Sequence, residues 1–290
     1  MNFRKIILFA VISFVLAVLL VSCGERKCGD YPAKESIPDV TGELAVKFLK
    51  IGQADSIILK TGNHAAVIDC GEKNDGDKII EALKKMGISK IDYLFITHFD
   101  KDHVGGAPEL FGYIVPDNII EANYTGTGKA YINYAEYTEK NNIKRNALKD
   151  KMSITLDDVL LNIYPSLKDE YSDANDNNHS IVITAKHGEN TLLFTGDAEE
   201  DRLKELSGQI GDLRCSLVKM PHHGRFNSYT KAFLDLTKPE FAVITSSEKN
   251  PAEQKTLRAL EDIKCKIYQT ADGNVKAVSD GKSLNVDFEV

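Results

Sequence analysis

The chain has 290 residues, 42% of them hydrophobic, and a formal net charge of −7 from 36 basic and 43 acidic side chains. An acidic exterior of this kind excludes wide nonspecific contact with DNA or anionic lipid, although it permits a local basic strip. Five cysteines occur without a C-x-x-C pair, which excludes a zinc-ribbon or thioredoxin-like site.

In chain order, Arg4 and Lys5 precede an uncharged apolar stretch, Ile6 to Leu20, closed by Val21-Ser22-Cys23. An apolar core of about 15 residues is short for a spanning helix and suits a signal peptide. Residues 1–22 are therefore expected to be a lipoprotein signal, with Cys23 the lipidated residue; an uncut N-terminal anchor is the alternative. Either reading puts the chain outside the cytoplasm, held to a bacterial membrane or envelope. Residues 23–42, polar and broken by Pro32 and Pro38, read as a tether. Residues 43–290 are long enough for one large α/β domain.

Glu43 to Ile51, Ala54 to Lys60 and Asn63 to Cys70 read as strands, the last two joined by Thr61-Gly62-Asn63. Asp69, at a strand end before Gly71, either orients a neighbouring loop or starts the turn. Asp77 to Met86 carries Ile79, Leu83 and Met86 at helical spacing and stops at Gly87. Ile91 to Ile96 is a buried strand, followed by a loop and a helix start. Asn118–Ala122 is a strand and Ala130–Lys140 a helix. The basic span Lys140 to Lys151 reads as a solvated helix face, with a phosphate-binding strip as the alternative. Val159–Tyr164 is a strand, and Ser180–Lys186 pairs with Thr191–Thr195 across a turn. Ala198–Leu206 is a helix that Asp197 could cap. Arg214–Met220 and Phe241–Thr245 are strands. Asn250-Pro251-Ala252-Glu253 has the form of a helix start. Three short strands, Cys265–Gln269, Val275–Val278 and Leu284–Phe288, finish the chain. Cys70, Cys215 and Cys265 lie in or beside apolar runs and read as buried thiols.

The chemistry concentrates in Thr97 to Gly106. His98, Asp100, Asp102 and His103 form H-x-D-x-D-H after a strand, where α/β proteins place functional loops. Imidazoles mixed with carboxylates suit zinc, manganese or iron better than calcium. His179, Asp197 and the pair His222-His223 also stand at strand edges. Together they supply two ions: His98, Asp100 and His179 for one, Asp102, His103 and His223 for the other, with Asp197 bridging. Alternating strands and helices, with metal-type residues in both halves, point to two face-to-face sheets with helices outside.

H-x-D-x-D-H before Gly105-Gly106, Thr195-Gly196-Asp197 after a strand, and His222-His223-Gly224 resemble the metallo-β-lactamase superfamily. More narrowly the chain resembles the secreted hydrolase domain of ComEC-type competence proteins, through Ile51 to Ser56, Asp69-Cys70-Gly71, Asn177 to Ser180 and the tail Thr270 to Lys282. The resemblance covers Glu43 to the C-terminus and implies a four-layer αββα sandwich with a two-metal site at one edge. Asp100 stands where the superfamily more often has His; this enriches one site in oxygen and makes manganese a rival to zinc. The resemblance implies phosphodiester hydrolysis, with nucleic acid the candidate polymer. A small-molecule hydrolase acting on a β-lactam or lactone, or a silent metal-binding lipoprotein, are the alternatives. Asp102 would orient the nucleophile. Sequence does not separate His222 from His223; His223, directly before Gly224, is the expected ligand and His222 the proton donor. Arg225 stands where the branch has Ser, and could hold a phosphate or carboxylate.

Overall fold

The first strand, β1 (Leu44–Phe48), shows how the chain sorts its faces. Leu44, Val46 and Phe48 point into a core shared by two sheets, the two-residue period of extended backbone. The same period runs on in β2 (Ile57–Lys60), where Ile57 and Leu59 face that core and Ile58 faces an outer one. The structure is a computed structural model describing residues 40–171 and 176–289. The expected signal, Cys23, Cys28 and nearly all of the tether lie outside the described residues.

The remaining strands are β3 (Ala65–Ile68), β4 (Tyr93–Ile96), β5 (Asn118–Ala122), β6 (Asn146–Leu148), β7 (Met152–Leu156), β8 (Val159–Tyr164), β9 (Val182–His187), β10 (Asn190–Phe194), β11 (Leu217–Lys219), β12 (Phe241–Ile244), β13 (Lys266–Gln269), β14 (Val275–Ser279) and β15 (Leu284–Phe288). Eight of them form one sheet in the order β15-β14-β1-β2-β3-β4-β5-β6, and seven form the other in the order β13-β12-β11-β10-β9-β8-β7. Apolar side chains of both sheets meet in the central core. Helices α1 (Gly76–Lys85), α2 (Lys101–Val104), α3 (Ala107–Tyr113) and α4 (Lys129–Lys140) lie on the first half of the chain, and residues of α1, α3 and α4 cover the outer face of the first sheet. Helices α5 (Glu200–Gln209), α6 (Thr230–Thr237) and α7 (Gln254–Asp262) cover the second. The result is the expected αββα sandwich.

Parallel register decides where the loops emerge. β3 pairs with β4 through Ile68 and Phe95, so Asp69 and Thr97 leave the sheet side by side. In the other sheet Phe194, Lys219 and Val243 are register partners across β10, β11 and β12. Gly196-Asp197, the loop after Met220, and Thr245 therefore leave at the same level. Two loop sets from distant parts of the chain thus have their origins fixed by strand pairing.

Several boundaries differ from expectation, each for a tertiary reason. The helix after Asn250 begins only at Gln254, behind extended Glu253. Glu253 N instead donates to Gly224 O at 3.2 Å, which ties this segment to the His222-His223 loop. The helix after Asp197 begins at Glu200, with Glu199 in the capping position, so Asp197 does not cap it. The basic span is not a helix face: α4 ends at Lys140, β6 follows, and Arg145 is paired with Glu121 at 3.2 Å. Among the described residues, no helix is long and apolar enough to cross a membrane.

Candidate metal centre

The opening motif folds because Asp100 stays extended while Lys101–Val104 closes one helical turn. His103 N and Val104 N both donate to Asp100 O, at 3.0 Å each. Gly105 and Gly106 follow because backbone crowds them. A Cβ on Gly106 would fall on Cys70 O, and one on Gly105 would fall on Lys101 O. Gly106 N donates to Gly71 O at 3.2 Å, which fixes this turn against the end of β3.

Asp69 orients the motif. Its backbone is left-handed (φ 60°), and its side chain is fully buried. One oxygen accepts from Thr97 N and the other from Thr97 Oγ1, both at 2.7 Å. His103 Nδ1 lies 2.8 Å from that second oxygen. A carboxylate on Nδ1 leaves Nε2 to face the site, as ligating imidazoles require. Thr245 does the same for His223, whose Nδ1 donates to Thr245 O at 2.9 Å. His222 and His223 are both left-handed (φ 46° and 52°), strain of the kind that concentrates at functional sites.

The inner atoms then converge. Asp197 Oδ2 lies 3.0 Å from His223 Nε2 and 3.3 Å from His103 Nε2, and His223 Nε2 is 3.3 Å from Asp102 Oδ2. Asp102, His103, Asp197 and His223 could hold one ion together. Beside them, His98 Nε2 is 3.8 Å from Asp100 Oδ2, and the two rings His98 and His103 lie 4.1 Å apart. His179 is not part of that cluster. It ends a 3-10 turn, Asp176–His179, with its ring stacked on Tyr124 at 4.3 Å. Burial holds its imidazole below the usual pKa, despite Asp176 nearby.

His222 points elsewhere. Its Nδ1 is 2.9 Å from Glu199 Oε1, and its Nε2 is 3.9 Å from Asp197 Oδ2. Geometry therefore distinguishes two histidines that sequence leaves equivalent. Arg225 is exposed beside them, with no carboxylate at ion-pair distance among the described residues. A cavity of about 540 Å³ opens over the site, walled by Asp100, Asp102, Asp197, His222, His223 and Arg225.

Lys219 is fully buried and so is not a cation open to a substrate. Its Nζ reaches Asp55 Oδ2 at 2.5 Å, Gly196 O at 2.9 Å and Asp197 Oδ1 at 3.3 Å. It thereby holds the outer oxygen of Asp197 and leaves Oδ2 to the histidines. Asp55, absent from the expected site, is buried as well, with Oδ1 3.6 Å from His223 Nδ1. Glu199 and Thr245 are further additions. Lys219 inside the apolar run Leu217–Met220 is the one local signal that could have pointed to this network.

The charge balance tests whether metal fits. Asp55, Asp69, Asp102 and Asp197 bring four carboxylates, and among the described residues the only lysine paired with them is Lys219. Burial opposes charge on Asp197, but His223, His103 and Lys219 hold its pKa well below the usual range. Burial likewise opposes charge on His223, yet Asp197, Asp102 and Asp55 push it up to about 9. His103 is driven upward against burial by Asp197 and Asp69. Protons on two histidines thus sit where cations would. The buried Nε2 atoms of His98, His103 and His223 make no well-directed hydrogen bond, although those of His103 and His223 face Asp197 and Asp102 at 3.0–3.3 Å; a cation held between them would satisfy all three. The residues fit divalent metal.

Two curated relatives carry competence names. ComE operon protein 3 of Bacillus subtilis (strain 168) is 25% identical over 256 residues, covering 80% of this chain and 32% of that protein. Competence protein ComA of Neisseria gonorrhoeae is 27% identical over 224 residues, covering 77% and 29%. The chain thus spans about a third of the length of these relatives. Among solved structures, the metallo-beta-lactamase fold protein YhfI from Bacillus subtilis superposes with a TM-score of 0.50 at 13% identity, covering 79% of this chain and 96% of that one. The CmlA beta-hydroxylase E377D mutant gives 0.52 at 12%, covering 80% and 53%. These likenesses concern the fold. The family model for the metallo-beta-lactamase superfamily matches residues 49–246, which hold every residue of the cluster, and the chain belongs to that superfamily.

Proposed function

We propose that the protein hydrolyses phosphodiesters with two divalent ions, zinc or manganese, and that nucleic acid outside the cytoplasm is its substrate. His98, Asp100 and His179 would hold one ion, and Asp102, His103 and His223 the other, with Asp197 between them. The observation that supports this most is the buried carboxylate of Asp197 facing imidazole nitrogens that make no well-directed hydrogen bond. Ions bound there supply an acidified water and offset charge developing on phosphoryl oxygens. Asp102 would orient the attacking water. His222, held through Nδ1 by Glu199, would give the leaving oxygen its proton from Nε2. Arg225 would hold a non-reacting phosphate oxygen. The competence relatives favour a phosphodiester over a β-lactam or lactone. We further propose that residues 1–22 are removed and that lipidated Cys23, followed by the 23–42 tether, attaches the 43–290 domain to the membrane.

The test combines metal analysis with turnover. The purified chain, loaded with Mn²⁺ or Zn²⁺, is offered bis-p-nitrophenyl phosphate, single-stranded DNA and nitrocefin. Hydrolysis of the first two is expected, and its abolition in Asp102→Ala and His103→Ala with far-ultraviolet circular dichroism unchanged. Cleavage of nitrocefin alone would overturn the reading, as would bound metal without turnover.

A further inference from the structure

A second cavity, of about 670 Å³, adjoins the metal cluster without containing any of its residues. Its walls are Lys73, Lys101, Gly105 and parts of helices α3 and α4. Lys101 lines this cavity and the one over the cluster. Lys101 lies between Asp100 and Asp102 in sequence, so the two cavities border the same residue. Lys73, Lys129 and Lys140 complete the basic lining, and all four lysines are exposed.

Charge here runs against the rest of the protein. The whole chain carries −7, yet this cavity offers four lysines against Glu109 and Glu136. Glu109 is already occupied, accepting from Asn74 N at 3.0 Å and Gly76 N at 3.1 Å. Lys101 is paired with Glu72 at 2.9 Å, a pair at the surface and hence readily exchanged. Among the described residues, Lys73, Lys129 and Lys140 have no carboxylate at ion-pair distance. The wall between them combines apolar Pro108 and Ala130 and aromatic Tyr137 with Asn133 and Glu136. Cations spaced around an aromatic face suit a polymer that alternates phosphates with flat bases.

We infer that this cavity is a binding track for single-stranded polynucleotide, in which Lys101 passes the strand from the metal cluster and Lys73, Lys129 and Lys140 hold its phosphates. The inference rests on the phosphodiester reading for its direction, but binding can be measured apart from turnover.

The full chain loaded with Mn²⁺ is titrated, by fluorescence anisotropy, into a labelled dinucleotide and a labelled strand of roughly 16 nucleotides, both with phosphorothioate linkages. The longer strand is expected to bind at least roughly tenfold more tightly, and the triple variant K73A/K129A/K140A to lose that gain. Its dependence of log Kd on log salt should fall by about 2, from three lysines at about 0.7 each. Turnover of bis-p-nitrophenyl phosphate by the variant should equal that of the parent. Equal affinity for the two lengths, or an unchanged salt slope in the variant, would overturn the track. So would a polyphosphate of matched charge binding as tightly as the strand, since it has no bases for the apolar wall. Failure of the parent to hydrolyse bis-p-nitrophenyl phosphate, with length-dependent binding intact, would refute the reaction and support the track.

Discussion

Replacing Lys219 by Met separates what holds the site together from what binds metal. The side chain is fully buried, and its ammonium contacts two carboxylates and a carbonyl. Methionine fills similar space but leaves Asp55 and Asp197 without their cation. Breaking a buried pair from one side costs about 3–5 kcal/mol, because the remaining charge stays buried and uncompensated. For a domain of this size that corresponds to a fall in Tm of about 6–20 °C. The measurement is denaturant and thermal unfolding in chelator, followed by circular dichroism. Metal should act with the opposite sign: a cation removed from beside the cluster leaves more anionic charge facing an added ion, so Mn²⁺ should raise Tm more in Lys219→Met than in the parent. Asp55→Asn in the Lys219→Met background should cost less than in the parent, because the charge it removes is no longer paired. A loss below about 1 kcal/mol in chelator, or strict additivity with Asp55→Asn, would show that the buried network does not operate as described.

Three other outcomes follow from the same geometry. Asp69→Ala should weaken metal binding about 10- to 100-fold while leaving the ligands in place, because it frees the His103 ring; isothermal titration with Mn²⁺ reads this, and unchanged affinity would remove Asp69 from the site. In chelator, stability should depend on pH through His223. Its pKa rises from 6.5 unfolded to about 9 folded, so its contribution is full below about pH 6.5 and is lost as pH climbs through about 9. The Tm should therefore fall over that window in chelator but not with metal bound, and a flat chelator profile would contradict the charge balance. Finally, burial pushes the Cys265 thiol up to about 12 and raises Cys70 and Cys215 as well. None of the three should react with a thiol reagent at neutral pH until the protein unfolds, which mass mapping of labelled peptides would check.

Much of the architecture was legible because it rests on local periodicity. The alternation of Leu44, Val46 and Phe48, the helical spacing of Ile79 and Leu83, and the stop at Gly87 specify elements without reference to the rest of the chain. Shorter elements such as β6, β7 and α6 escaped, since three to eight residues carry too little periodic signal. The expected helix start at Asn250 failed for a different reason. A local capping pattern there yields to a backbone bond between Glu253 and Gly224, made across the sheet edge.

The site divides along the same line. By itself the sequence determined the residue types: H-x-D-x-D-H, the later His and Asp positions, and the glycines that admit close backbone contact. Those are chemical identities, and they survive without coordinates. Only the tertiary structure decided which atoms face each other. Parallel pairing of β10, β11 and β12 lifts Asp197, His223 and Thr245 to one level, and that register separates His223, beside Asp197 and Asp102, from His222, beside Glu199. It also buries Lys219 against Asp55, 164 positions apart in the chain. No local pattern encodes a contact of that span, because the pairing of distant strands brings the two charges together and only the closed sandwich excludes water from them.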